Sequence, residues 1–244
     1  MHFRNLVTIC RPVTRSTMEN NLTSKRVRIA MLGSFYRGFY MLSELLYGEI
    51  ANYVEVVGVA TDDPKNSFIS PDKRVWRYPH TVSEIKMVET LAQEHNIEVY
   101  KDRVNSEPFY ELFENHWQPE ICVMATFGQR VGKRLIQYPK LGFYNLHPCI
   151  DDKWPSKYVG GNPFNALKED GKTYTCIAFH AVDENFDTGP LIKLSGKIAI
   201  PPDSTVVDMH KISSYAAAKL AADEILKLLR IDKNPDPVAQ PVNG

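Results

Sequence analysis

The chain has 244 residues, 43% apolar and 24% charged, with 29 Lys plus Arg against 29 Asp plus Glu. That length suits one domain with a sizeable buried core. The charge balance leaves no net positive charge to hold a polyanion by counterion release, so nucleic acid is not expected as the principal partner. No apolar run reaches the length of a membrane span, so no membrane partner is expected either.

The first 26 residues carry Arg4, Arg11, Arg15, Lys25 and Arg26 against the single acid Glu19. This composition fits a transit peptide, or more plainly a disordered leader or a start codon placed upstream of a true start at Met18. A strand is expected at "VRIAML" (27–32), a helix at "GFYMLSELLYGEI" (38–50), and a second strand at "VEVVGVATD" (54–62), which ends in an acid. The turn between them, "GSFYRGF", puts Phe35 and Tyr36 where a dinucleotide fingerprint needs small residues, which disfavours a NAD-dependent dehydrogenase. Next come a helix at 82–95 leading into "IEVY", a helix at 107–117, a strand at 121–126, a short helix in "VGKRLIQY" and the strand "GFYNLH". The order β-α-β-α implies an α/β fold: a mostly parallel twisted sheet with helices on both faces. "YTCIAFHAV" (174–182) and "PLIKLSGKIAI" (190–200) have no helix between them, which leaves antiparallel pairing open for the later strands. A long amphipathic helix from Ser204, as N-cap, to Leu229 closes a domain spanning 27–230, and 231–244 reads as a disordered tail. Cys10, Cys122, Cys149 and Cys176 are widely spaced, which fits a reducing, cytoplasmic compartment and implies neither a metal site nor a disulfide framework.

In an open parallel sheet, ligands sit beyond the carboxyl ends of the strands. "GFYNLHP" ends there, and strand alternation puts Asn145 and His147 on one side and Leu146 on the other, with Pro148 expected to stop the strand. Asp183 and Asp187 bracket a turn in "AVDENFDTGPL" (181–191); turn chemistry accounts for Asp183 more easily than for both. Asp187 with Asn145 and His147 supplies a carboxylate, an imidazole and an amide donor, which suits acyl transfer to an amine without a protein nucleophile. Cys149 is the rival nucleophile, but no neighbouring base is identifiable and packing explains it better.

"NLHP" followed some forty residues later by "VDENFDTGPLI" resembles the signature of the folate-dependent formyltransferases, which include methionyl-tRNA, glycinamide ribonucleotide and sugar N-formyltransferases. The likeness extends to "VRIAMLG", "VEVVGVATD" and "ICVMATFGQRV". It implies a Rossmann-like formyltransferase fold, with the family's catalytic trio falling on Asn145, His147 and Asp187. It also implies 10-formyltetrahydrofolate as formyl donor, with the pterin against the main chain of Phe127, Gly128, Gln129, Arg130 and Val131 and of Val182, Asp183, Glu184 and Asn185. The loop after the His, "CIDDKWPSKYVGG", departs from the family's usual pattern. Lys153 and Lys157 are candidates to meet a phosphate or carboxylate there, and Trp154 and Tyr158 to stack on a ring. Asn162 and Pro163 read as the N-cap and first turn of a helix.

Within that family, methionyl-tRNA enzymes carry a further C-terminal domain and formyltetrahydrofolate hydrolases an N-terminal regulatory one, neither of which is expected here. The purine enzyme holds phosphate with a Gly/Ser-rich turn, of which only Gly33 and Ser34 are kept. The resemblance thus points to one-carbon transfer onto a small-molecule amine: N5-hydroxyornithine for a siderophore, or a nucleotide-linked amino sugar. The alternatives are glycinamide ribonucleotide formyltransferase, formyltetrahydrofolate hydrolase and a non-catalytic folate-binding protein; retention of all three trio residues opposes the last.

Overall fold

The computed structural model describes residues 25–69, 75–150, 154–185 and 187–233. The leader and most of the expected tail therefore lie outside the described residues. In chain order the elements are β1 (Val27–Gly33), α1 (Phe35–Tyr47), β2 (Val54–Ala60), α2 (Val82–Glu94), β3 (Val99–Tyr100), α3 (Glu107–Glu111), β4 (Ile121–Ala125) and α4 (Lys133–Gln137). They continue with β5 (Phe143–Cys149), α5 (Pro163–Glu169), β6 (Tyr174–Ala181), β7 (Leu191–Leu194), β8 (Ile198–Ala199) and α6 (Val206–Lys233).

The sheet runs β3-β2-β1-β4-β5-β6-β7, with β8 paired to β6. Pairing is parallel from β3 to β5 and antiparallel from β5 onward. Alternation along β1 sends Ile29 and Met31 into the core beneath α1, α2, α5 and α6, and Ala30 and Leu32 into the core beneath α3 and α4. Burial on both faces is why this strand reads as a continuous apolar run. Thr81 caps α2 through a reciprocal bond pair with Glu84.

Four local expectations shift. α1 opens at Phe35, before the expected residue 38, and closes at Tyr47. β5 does not stop at Pro148: it runs to Cys149, with Pro148 opposite Ile177. Pairing with β4 ends at Asn145, so Pro148 sits where β5 has a single neighbour, the setting in which a missing N–H is tolerated. The cap of α6 is Thr205, not Ser204: Thr205 Oγ1 accepts from the Asp208 amide at 3.1 Å, and the Asp208 carboxylate accepts from the Thr205 amide at 3.0 Å. Asn162 does occupy the N-cap position of α5, but its side chain donates to Tyr78 Oη at 2.8 Å. Among the described residues no helix is long and apolar enough to cross a membrane.

Candidate active site

The carboxyl ends of β1, β2, β4 and β5 open on one side of the sheet, and the loops there carry the polar groups. Ser34 and Asp62 follow β1 and β2; Ser34 Oγ accepts from the Asp62 amide at 2.9 Å. The buried Asp62 carboxylate in turn accepts from Gly128 N at 3.1 Å and from the Trp76 indole at 3.2 Å. Gly128 is confined to that contact, since a Cβ there would stand 2.8 Å from Asp62 Oδ2.

Asn145 and His147 lie on one face of β5, while Leu146 points into the core beneath α1 and α6. The turn after β6 brings Asp187 to them. Asn145 Nδ2 donates to Asp187 Oδ1 at 3.0 Å, and His147 Nδ1 lies 3.2 Å from the same oxygen. Asp187 Oδ2 accepts from Gly160 N at 3.3 Å, and His147 Nε2 lies 2.5 Å from the Tyr158 carbonyl. Asn145 is 9% and His147 4% exposed. Burial pushes the His147 imidazole below its ordinary pKa, with the Arg37 charge adding to the push, while Asp187 and the Tyr158 carbonyl work the other way.

Backbone strain gathers at this site: Thr126 and Asp187, which line the cavity beside His147, have φ of 58° and 52°. Asp187 is held in that conformation by its neighbours. Thr188 Oγ1 donates to Asp183 at 2.9 Å, and a Cβ on Gly189 would stand 1.9 Å from the Ala181 carbonyl. Asp183 is thus a turn residue.

Two clefts meet at Asn145 and Asp187. One is lined by Gln129, Arg130, Val131, Val182, Asp183, Glu184 and Asn185. Its walls are tied together by Arg130, which donates to the Glu184 carbonyl at 2.9 Å, and by Lys133, 3.0 Å from the Glu184 carboxylate. The Gln129 side chain is engaged with Val104 N and the Asp102 carbonyl, so that residue offers the cleft its main chain. The other cleft, of about 100 Å³, is lined by Phe127, Gly128, His147, Gly160, Gly161 and groups from three further elements: Arg37, Trp76 and His210.

The loop residues expected to meet an acceptor face elsewhere. The Trp154 indole donates to the Gly189 carbonyl at 3.0 Å and its ring packs on His180, so it braces the Asp187 turn. Lys157 and Tyr158 both bond Asp170 Oδ2, at 2.5 and 2.7 Å. None of the three side chains lines the cavity beside His147, to which this loop presents glycine main chain instead. Lys153 lies outside the described residues. Cys149 is buried with Cys176 and Ala178. Among the described residues no cluster of His, Cys, Asp or Glu is arranged to hold a metal ion.

Sequence reading missed Arg37, Trp76, His180 and His210. His180 is the antiparallel partner of Asn145 and lies 3.8 Å from Asp187. Only the β5–β6 register reveals it. Arg37 had one available signal, a cation two residues into the apolar helix that follows β1.

Comparison with known proteins agrees with this architecture. Methionyl-tRNA formyltransferase of Caldicellulosiruptor saccharolyticus is 31% identical over 163 residues, 66% of this chain and 50% of that protein. The enzyme of the same name from Thermotoga maritima is 27% identical over 170 residues, 69% of this chain and 49% of that one. The chain spans about half the length of these curated relatives. The crystal structure of phosphoribosylglycinamide formyltransferase from Bacillus halodurans shares the fold, with a TM-score of 0.61 at 22% identity over 86% of this chain and 98% of that one. Residues 27–221 match the family described as "Formyl transferase", from the first strand through most of the closing helix, and the chain belongs to that family.

Proposed function

We propose that the protein transfers the formyl group of 10-formyltetrahydrofolate to the amine or hydroxylamine of a small metabolite, such as N5-hydroxyornithine or a nucleotide-linked amino sugar. The observation that carries this reading is that Asn145 and Asp187 line both clefts at once. A group transferase needs its donor and its acceptor on either side of one set of catalytic groups. The cleft between residues 129–131 and 182–185 fits the donor: two loops clamped to each other, with Gln129 offering main-chain atoms, while Phe127 and Gly128 face the other cleft. Bound there, the donor supplies an electrophilic formyl carbon.

The chain's own groups then divide the work. The Asn145 amide supplies a donor toward the oxygen on which negative charge develops, and the His147 imidazole joins it once the bound substrate draws one ring nitrogen away from Asp187 or the Tyr158 carbonyl. Asp187 orients His147 through Oδ1. Among the described residues its Oδ2 accepts just the 3.3 Å bond from Gly160 and retains capacity to take the proton that the attacking amine releases and to return it to N10 as the formyl carbon's bond to that nitrogen breaks and tetrahydrofolate leaves.

Methionyl-tRNA is the second reading for the acceptor, favoured by the names of the sequence relatives. The test is tetrahydrofolate release from 10-formyltetrahydrofolate with N5-hydroxyornithine, nucleotide-linked amino sugars, glycinamide ribonucleotide and methionyl-tRNA offered in turn. Acceptor-dependent release supports transfer and names the acceptor; release with no acceptor present makes the protein a hydrolase. Asn145→Ala is expected to lower turnover by about 10²–10³-fold while folate binding persists. Undiminished turnover in that variant would remove Asn145 from the mechanism.

A further inference from the structure

We infer that the acceptor carries an anionic group, a carboxylate or a phosphate, and that Arg37 receives it. This rests on the reading above, in which the cavity beside His147 takes the acceptor.

Arg37 projects from α1 with 2% of its surface exposed, and it lines that cavity. A guanidinium has five N–H donors. Two contacts use them here: Nη1 to the Leu146 carbonyl at a long 3.4 Å, and Nη2 to Ser213 Oγ at 3.1 Å. Nε has no partner. Among the described residues no carboxylate lies within ion-pair distance of this cation, although Asp62 and Asp187 line the same cavity, and the rings beside it carry no opposite charge. Phe164 lies with its ring centre 5.7 Å from Cζ, and His210 is driven well below its ordinary pKa by burial and by Arg37 itself. Burial brings the guanidinium pKa down to about 10, so at neutral pH it stays charged.

An uncompensated buried charge is destabilising, and a charged group held that way in a cleft marks a candidate functional site. Two further buried polar atoms without a partner among the described residues, Nδ1 of His210 and Oγ1 of Thr126, belong to residues that line the same cavity. A purely structural arginine pinning α1 to β5 and α6 leaves these three polar atoms unexplained; an acceptor's anion entering beside Arg37, with the side-chain shift that opens the buried Nε and the His210 ring nitrogen to it, accounts for two of them. The cleft volume of about 100 Å³ beside the guanidinium suits a carboxylate or phosphate group, with the rest of the acceptor extending through the cleft's open side. Arg37, Asn145 and Asp187 line one cavity, so an acceptor anchored at the cation shares that space with the catalytic groups.

The test begins with binding alone. Acetate and inorganic phosphate are titrated into the full chain by calorimetry, and each is then used to compete with the acceptor. We expect saturable binding that Arg37→Met weakens by roughly thirtyfold or more, with Arg37→Lys weakened less because it keeps the charge but loses the fork. Should Arg37→Met fail to fold, Arg37→Lys still reports. Absence of saturable binding by either anion, or binding indifferent to both substitutions, overturns the inference. Turnover separates it from formyl transfer: N5-hydroxy-L-ornithine is compared with its methyl ester, and glycinamide ribonucleotide serves as the phosphate-bearing acceptor. Transfer to acid and ester alike, with no loss of phosphate acceptor in Arg37→Met, overturns the anion site while leaving formyl transfer intact. Arg37-dependent anion binding without formyl transfer to any acceptor supports the site and defeats the functional reading instead.

Discussion

Both ring nitrogens of His147 face an oxygen, Asp187 Oδ1 at 3.2 Å and the Tyr158 carbonyl at 2.5 Å. A neutral imidazole has one N–H and satisfies one of them; an imidazolium satisfies both, but its charge is opposed by burial. Asp187 is therefore the group that keeps a proton within reach of the ring. Asp187→Asn removes the anion and leaves a side chain of the same shape, so the His147 pKa is expected to fall further below its ordinary value. The pH titration of its ring resonances reads this directly, and an unchanged or raised value would show that the Tyr158 carbonyl dominates instead.

At the level of elements, the sheet and the segment after α3 meet through one contact that tolerates no extra atom. A Cβ on Gly58 in β2 would stand 2.0 Å from Trp117 Cε2. Trp117 closes a π-helical segment, Leu112–Trp117, and its indole donates to Glu98 at 2.9 Å. Gly58→Ala should thus destabilise the fold by about 1–3 kcal/mol through overpacking, measured by urea unfolding. In a Trp117→Leu background, which has its own cost, the added penalty of Gly58→Ala should shrink. An undiminished penalty would place the strain in the strand backbone rather than against the indole. Since β2 ends just before Asp62, the register of this strand also sets where that carboxylate enters the cavity.

For the whole molecule, three buried histidines set how stability depends on pH. His147, His180 and His210 are all lowered, each chiefly by burial. In the unfolded chain they titrate near the ordinary value of about 6.5. Below that pH the unfolded chain binds protons that the folded chain refuses. The stability contribution is full above about pH 6.5 and is lost as pH falls toward the folded-state values. While all three remain neutral in the fold, the slope approaches about 4 kcal/mol per pH unit, at roughly 1.4 kcal/mol per proton. Urea unfolding between pH 5 and 7 should show it, and His210→Gln should flatten the slope by about one proton. A curve that is level across this range would mean that the rings are protonated inside the fold.

Apolar periodicity and chain order determined the parallel half of the sheet, because strands buried on both faces and helices buried on one leave unambiguous spacing along the chain. The same logic paired Asn145 with His147, two positions apart on one strand; the turn in "AVDENFDTGPL" offered Asp187 as their carboxylate, and the likeness of "NLHP" and "VDENFDTGPLI" to a known family then singled out the trio. Tertiary structure alone decided the rest. His180 joins the site through an antiparallel register between strands that are distant in sequence, and Pro148 stays within β5 because that strand has lost one neighbour there. Trp154, Lys157 and Tyr158 looked like acceptor ligands by residue type, yet their hydrogen bonds turn them toward Gly189 and Asp170. Arg37 and His210 sit 173 positions apart by number, on α1 and α6, and only the packing of those helices brings their unpaired nitrogens to one cavity. Local pattern records which face of an element is buried; which distant polar groups share that burial is decided when the elements pack.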